Sequence, residues 1–123
     1  MNPKSLSTEL QSALLDLAIL AMYADGHLAS LEDSRVQRLL RQLGVESESD
    51  INRVYDASVS RVSQHAQTHS AATELAVRLA AKFESPDQQY AVVAILNDLL
   101  ASDGQVPASE TDYLSLIKRA FDL

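Results

Sequence analysis

The stretch LSTELQSALLDLAILAMYA, residues 6–24, constrains the fold more than any other part of this chain. Leu6, Leu10, Leu14, Leu17 and Ala21 recur at helical spacing and mark one buried face. Leu15, Ile19, Leu20 and Met22 fill the other faces. A helix that is apolar around most of its circumference has to be enclosed, so this stretch predicts a central helix with neighbours on several sides. Glu9 and Asp16 interrupt the apolar pattern. With such interruptions recurring along the chain, no run of roughly eighteen apolar residues exists, and a membrane span is not expected.

The remaining periodic segments supply the neighbours. YAVVAILNDLLAS, residues 90–102, has the same all-round apolar character and predicts a second central helix. Ser85 is placed to cap it, with Pro86 at the first helical position and Gln88 completing a capping box. In SRVQRLLRQLG, residues 34–44, Val36, Leu39, Leu40 and Leu43 share a face, arginines lie opposite, and Gly44 ends the helix. Further amphipathic helices are read over 50–62, through Ile51, Val54, Tyr55, Val59 and Val62, and over 72–83, through Leu75, Val77, Leu79 and Phe83. The last, from about Pro107 to Phe121, turns Tyr113, Leu114, Ile117 and Phe121 inward. With only three Gly, three Pro and no strand-like alternation, residues 1–123 read as one all-α domain, a bundle of six or seven helices.

Sliding the chain against itself by 78 residues pairs Asp25 with Asp103, Gly26 with Gly104, Leu28 with Val106 and Glu32 with Glu110. The register extends back to Leu14, Leu17, Ala18 and Ala21, which meet Val92, Ile95, Leu96 and Leu99. Two pseudo-repeated helix–Asp-Gly–helix units are the simplest account, with chance likeness of two amphipathic hairpins as the alternative.

Each unit contains D-G-x-(L/V)-x-x-x-E, which is the second half of an EF-hand calcium loop. There the Asp and the Glu donate oxygens, Gly allows the turn, and an apolar residue anchors the loop. Calcium takes about six to eight oxygens, and the complete loop draws the rest from its first and third positions. Those positions hold Ala21 and Tyr23 in one unit and Leu99 and Ala101 in the other, so neither is an ordinary EF-hand. A half-loop offers roughly four ligands, which predicts weak binding. If folding joins the turns, Asp25, Glu32, Asp103 and Glu110 would repel one another and a divalent cation would relieve the repulsion. The competing account needs no metal. Gly26 and Gly104 close helices in the left-handed conformation, and Glu32 and Glu110 favour the dipole at the start of the next helix.

AILAMYADGHLASLEDSRVQRLL and AILNDLLASDGQVPASETDYLSLI together resemble the TerB-like (tellurite-resistance protein B) family. The resemblance covers nearly the whole chain, and its specific part is these two segments. It implies one all-helical domain with two paired hairpins, in a bacterial, cytoplasmic, non-enzymatic stress-response protein. It also implies a divalent cation, calcium first, on the acidic positions matched here by Asp25, Glu32, Asp103 and Glu110, and action through protein partners. His27 and Gln105 stand where the family often has a third acid, which lowers the expected affinity, and Asp33 and Asp112 are the nearby substitutes.

Other features weigh less. Ten Lys and Arg against 17 Asp and Glu give a net charge of −7, which repels phosphate backbones and argues against nucleic acid. Cysteine is absent, so disulfides, thiolate zinc and cysteine nucleophiles are excluded. The start MNPKSLSTEL does not read as a signal peptide. His65 and His69 lie four apart in HAQTH, a spacing that one helix could turn towards zinc, but two imidazoles leave a zinc site incomplete and a solvated helix end is the plainer reading. Arg35, Arg38 and Arg41 form a basic strip that is either a solvated face or a docking strip for an acidic partner or a sibling subunit in a homodimer. No nucleophile elbow, Walker loop or dinucleotide fingerprint occurs. Two alternatives therefore stand beside the leading reading: a metal-free interaction module, and a small metal-dependent hydrolase using the same carboxylates.

Overall fold

The computed structural model describes residues 6–24, 34–65, 67–100 and 108–122. Its helices are α1 (Thr8–Ala24), α2 (Ser34–Gln42), α3 (Glu48–His65), α4 (His69–Ala80), α5 (Pro86–Leu100) and α6 (Ala108–Ala120). No strand occurs among the described residues, and no described helix is long and apolar enough to cross a membrane. The fold is all-α, as the periodicity predicts, with six helices among the described residues.

α1 is the hub. Every residue from Ala13 to Ala21 is buried, Asp16 included, and α1 touches each of the other helices. Burying each large side chain, among them Leu14, Leu15, Leu17, Ile19 and Leu20, contributes about 1.5–3 kcal/mol relative to exposure. Its start is fixed by Ser7, whose Oγ accepts from the Leu10 N–H at 3.2 Å.

α5 departs from the prediction of a second central helix. Val92, Leu96 and Leu99 form one buried stripe, whereas Val93 and Ile95 are half-buried and Tyr90 is 62% exposed. It packs chiefly against α1 and α6 and lies at the edge. The exposed Asn97 and Asp98 require water on its outer side, which leaves the neighbouring apolar residues incompletely covered. Its start is reinforced by Gln89, one position beyond the predicted capping-box residue: Nε2 donates to the Phe83 carbonyl at 2.8 Å.

Capping sets the other boundaries. α2 buries Val36, Leu39 and Leu40 and closes at Gly44, whose φ of 87° only glycine adopts freely. There the Gly44 N–H donates to Arg41 O at 3.0 Å and the Val45 N–H to Leu40 O at 2.9 Å, a Schellman closure with Val45 set against the core. α3 begins at Glu48 rather than Asp50 because Ser47 Oγ accepts from the Asp50 N–H at 3.1 Å. α4 occupies 69–80 rather than 72–83, since Thr68 Oγ1 accepts from the Ala71 N–H at 3.0 Å and starts it early. Its buried face is Leu75, Ala76, Leu79 and Ala80; Val77, expected inside, is 41% exposed because residues two apart in a helix lie about 200° from one another. Phe83, now beyond the helix end, still enters the core and meets Phe121 edge-to-face at 6.4 Å. In α6, Tyr113, Leu114 and Ile117 are buried as predicted, and the Tyr113 hydroxyl donates to the Leu17 carbonyl at 2.7 Å.

Candidate functional site

The two acidic segments join helices that pack together. α1 contacts both α2 and α5, and α5 contacts α6, so each predicted hairpin is closed by its own pair of helices and the two pairs meet through α1. Asp25, Glu32 and Asp103 lie outside the described residues, as do His27, Asp33 and Gln105. Glu110 belongs to the first turn of α6, and Asp112 to the same helix. The described helices bear directly on one point of chemistry. Ala21 and Leu99 occupy the first position of an EF-hand loop in the two units, and both are helical core residues, 0% and 3% exposed. A side chain held there by packing leaves no room for an oxygen donor, so the ordinary loop is ruled out by the core as well as by residue type.

Among the described residues no three His, Asp or Glu side chains gather where they could share a metal ion. The HAQTH segment is not one helix: α3 ends at His65 and α4 begins at His69. The two histidines therefore belong to different helices, and His65 is an exposed helix end.

The polar constellation that the fold does assemble is Asp16 of α1 with Ser58 and Arg61 of α3. Ser58 Oγ donates to Asp16 Oδ1 at 2.5 Å. Arg61 adds a bidentate pair, Nε to Oδ2 and Nη2 to Oδ1, both at 2.9 Å. Asp16 and Ser58 are buried, while the Arg61 side chain is 45% exposed. Hydrogen bonding to Asp16 raises the Arg61 pKa above the ordinary guanidinium value, with burial opposing and the Asp16 charge assisting. Both carboxylate oxygens are engaged by donors from α3, so Asp16 is a strut between helices rather than a base turned towards a substrate. Sequence reading took Asp16 only as an interruption. The available signal was a pair of polar residues at core positions, Asp16 between Leu15 and Leu17 and Ser58 on the stripe that runs through Val54, Tyr55 and Val62.

A family comparison decides what the helical arrangement belongs to. The model for TerB, described as tellurite resistance protein TerB, matches residues 7–123, which takes in all six helices and both Asp-Gly segments. The chain belongs to the TerB family. Searches of curated proteins and of solved structures return no match. The TerB match agrees with the resemblance carried by residues 18–40 and 94–117 and extends it over α3 and α4, where no short motif marks the sequence.

Proposed function

We propose that this TerB-family chain is a non-enzymatic, tellurite-resistance-type protein of bacterial stress response. In this reading it is cytoplasmic, binds a divalent cation through Asp25, Glu32, Asp103 and Glu110, and acts through protein partners. The observation that carries the reading is the doubled D-G-x-(L/V)-x-x-x-E pattern at an offset of 78 residues, both copies inside the matched family region 7–123. The donors are all hard carboxylate oxygens, which suit calcium or magnesium and not a soft metal. They sit in a chain of net charge −7, where a bound cation relieves local repulsion. With about four protein oxygens per turn and core residues, Ala21 and Leu99, at the first loop position, the dissociation constant should be about 10⁻⁴ M or weaker.

Titration with calcium, magnesium, manganese and zinc, followed by calorimetry and amide shifts, tests this. Heat and shifts centred on both turns, lost in Asp25→Asn with Asp103→Asn, support the cation site. The absence of a response to any of the four at millimolar concentration would leave the metal-free interaction module instead. Cation-dependent hydrolysis of a model ester or phosphodiester, abolished by the same two substitutions, would establish the enzyme reading.

A further inference from the structure

The strut on Asp16 forms one wall of an open groove of about 450 Å³ between α1, α3 and α4. α3 contributes Arg61 and His65 to it, and α4 with its following turn contributes Arg78 and Lys82. The cations are Arg61 from α3 and Arg78 with Lys82 from α4 and its following turn. Between them the floor is apolar, made by Ala13, Leu75 and Leu79. The acids on the groove are Glu9 and Asp16.

The charge balance of this groove is opposite to that of the molecule. The whole chain has ten Lys and Arg against 17 Asp and Glu, whereas the groove has three, Arg61, Arg78 and Lys82, against two. Asp16 is fully committed to α3. Glu9 is held only by Lys82, at 3.1 Å, in a pair whose side chains are 73% and 41% exposed. Exposed pairs of this kind are worth about 0–1 kcal/mol, so another carboxylate can displace Glu9 from Lys82 at little cost. Arg78 is exposed and has no ion pair among the described residues. Arg61 retains free N–H donors on its solvent side after serving Asp16.

We propose that this groove docks an acidic amphipathic segment of a partner protein. Carboxylates of the segment pair with Arg78, Lys82 and the outer edge of Arg61, and its apolar side chains settle over Leu75, Leu79 and Ala13. The proposal rests on the reading that the chain works through protein partners, and it does not depend on the acidic turns. Arg61 from α3 and Arg78 with Lys82 from α4 and its turn, set around an apolar floor of Ala13, Leu75 and Leu79, complement a helix that has acids flanking an apolar seam.

The test uses the full chain and a fluorescein-labelled amphipathic peptide of Glu and Leu at helical spacing, with its Lys and Leu counterpart as control. Anisotropy should report binding of the acidic peptide alone, weakening as salt rises from about 0.05 to 0.3 M. Amide shifts should concentrate on residues 9–16, 61–65 and 75–82. Arg78→Glu with Lys82→Glu should weaken binding about tenfold or more, which corresponds to at least about 1.4 kcal/mol. Arg38→Glu with Arg41→Glu reverses the same amount of charge on α2 and should leave binding within about twofold. Thermal melts check that both variants fold. Equal losses in the two variants, or no binding of the acidic peptide at all, would overturn the groove while leaving the cation titration unaffected. Shifts gathered on α2 or α6 would keep a partner-binding protein but place its surface elsewhere. Inorganic phosphate that competes with the peptide at equal concentration would overturn the peptide occupant in favour of a small-anion site.

Discussion

Removing Arg61 should damage this protein more than removing the charge of the residue it serves. In Arg61→Ala the Asp16 carboxylate, its side chain only 8% exposed, is left with Ser58 as its remaining described side-chain donor. Stranding a buried charge by deleting its partner costs about 3–5 kcal/mol. In Asp16→Asn the group left behind is a guanidinium whose side chain is 45% exposed, and it can turn to water. Ser58 Oγ keeps an amide oxygen to donate to. The loss is then that of hydrogen bonds to a charged group, about 1.5–3 kcal/mol. At about 4 °C per kcal/mol for a chain of this size, Arg61→Ala should lower Tm by about 12–20 °C and Asp16→Asn by about 6–12 °C. Urea unfolding followed by far-UV circular dichroism, at fixed pH and salt, gives both differences. Asp16→Asn costing as much as Arg61→Ala would refute the argument that exposure of the orphaned partner sets the penalty, and losses below about 0.5 kcal/mol in both would show that the strut is not a stabilising element.

Three further outcomes are expected. Gly44→Ala should cost about 1 kcal/mol in urea unfolding, because a Cβ is forced to a φ of 87°; an unchanged midpoint would mean that α2 closes in another way. Thr68→Ala should cost about 1 kcal/mol while Thr68→Ser stays near neutral, and helix content that does not follow this order would deny Thr68 its capping role. Burial holds the Tyr113 hydroxyl well above the usual phenol range, so the folded state favours its protonated form. The stability this represents is complete below about pH 10 and falls as pH rises beyond it. Tyr113→Phe should therefore be less stable at neutral pH by about 1 kcal/mol, having lost the bond to Leu17, yet decline less steeply in alkali; equal alkaline slopes would contradict the burial argument.

What could be read from the sequence was what depends on local periodicity. α1 was legible as a hub because apolar residues surround it, and α2 because Gly44 and its arginines mark both end and face. α5 was not, since periodicity counts Tyr90, Val93 and Ile95 as apolar without knowing whether a neighbour arrives to cover them. Thr68 moved the start of α4 by a few residues, while Val77 was misread because it lies about 200° round the helix from Leu75 and Leu79 and cannot share their face. The Asp16 strut needs partners 42 and 45 residues away, and no spacing rule joins an acid in one helix to a serine and an arginine in another. The acidic segments themselves were visible as a repeated motif; Asp25, Glu32 and Asp103 lie outside the described residues and Glu110 is described only by its place in α6, so their joining into one site is a matter for the cation titration.

The hub helix also has a consequence in time. α1 is the first of these helices to be synthesised, yet one of its closing contacts, from Tyr113 to Leu17, spans 96 residues. At about 5–20 residues per second the ribosome needs roughly 5–20 s to deliver that partner, while a helix forms in about a microsecond. The most apolar segment of the chain must therefore wait, helical and only partly sheltered by α2, α3 and α4, until α6 emerges. Slowed translation between α4 and α6 should thus expose this protein to capture by chaperones or to aggregation at its N-terminal helix, well before any late residue has had a chance to misfold.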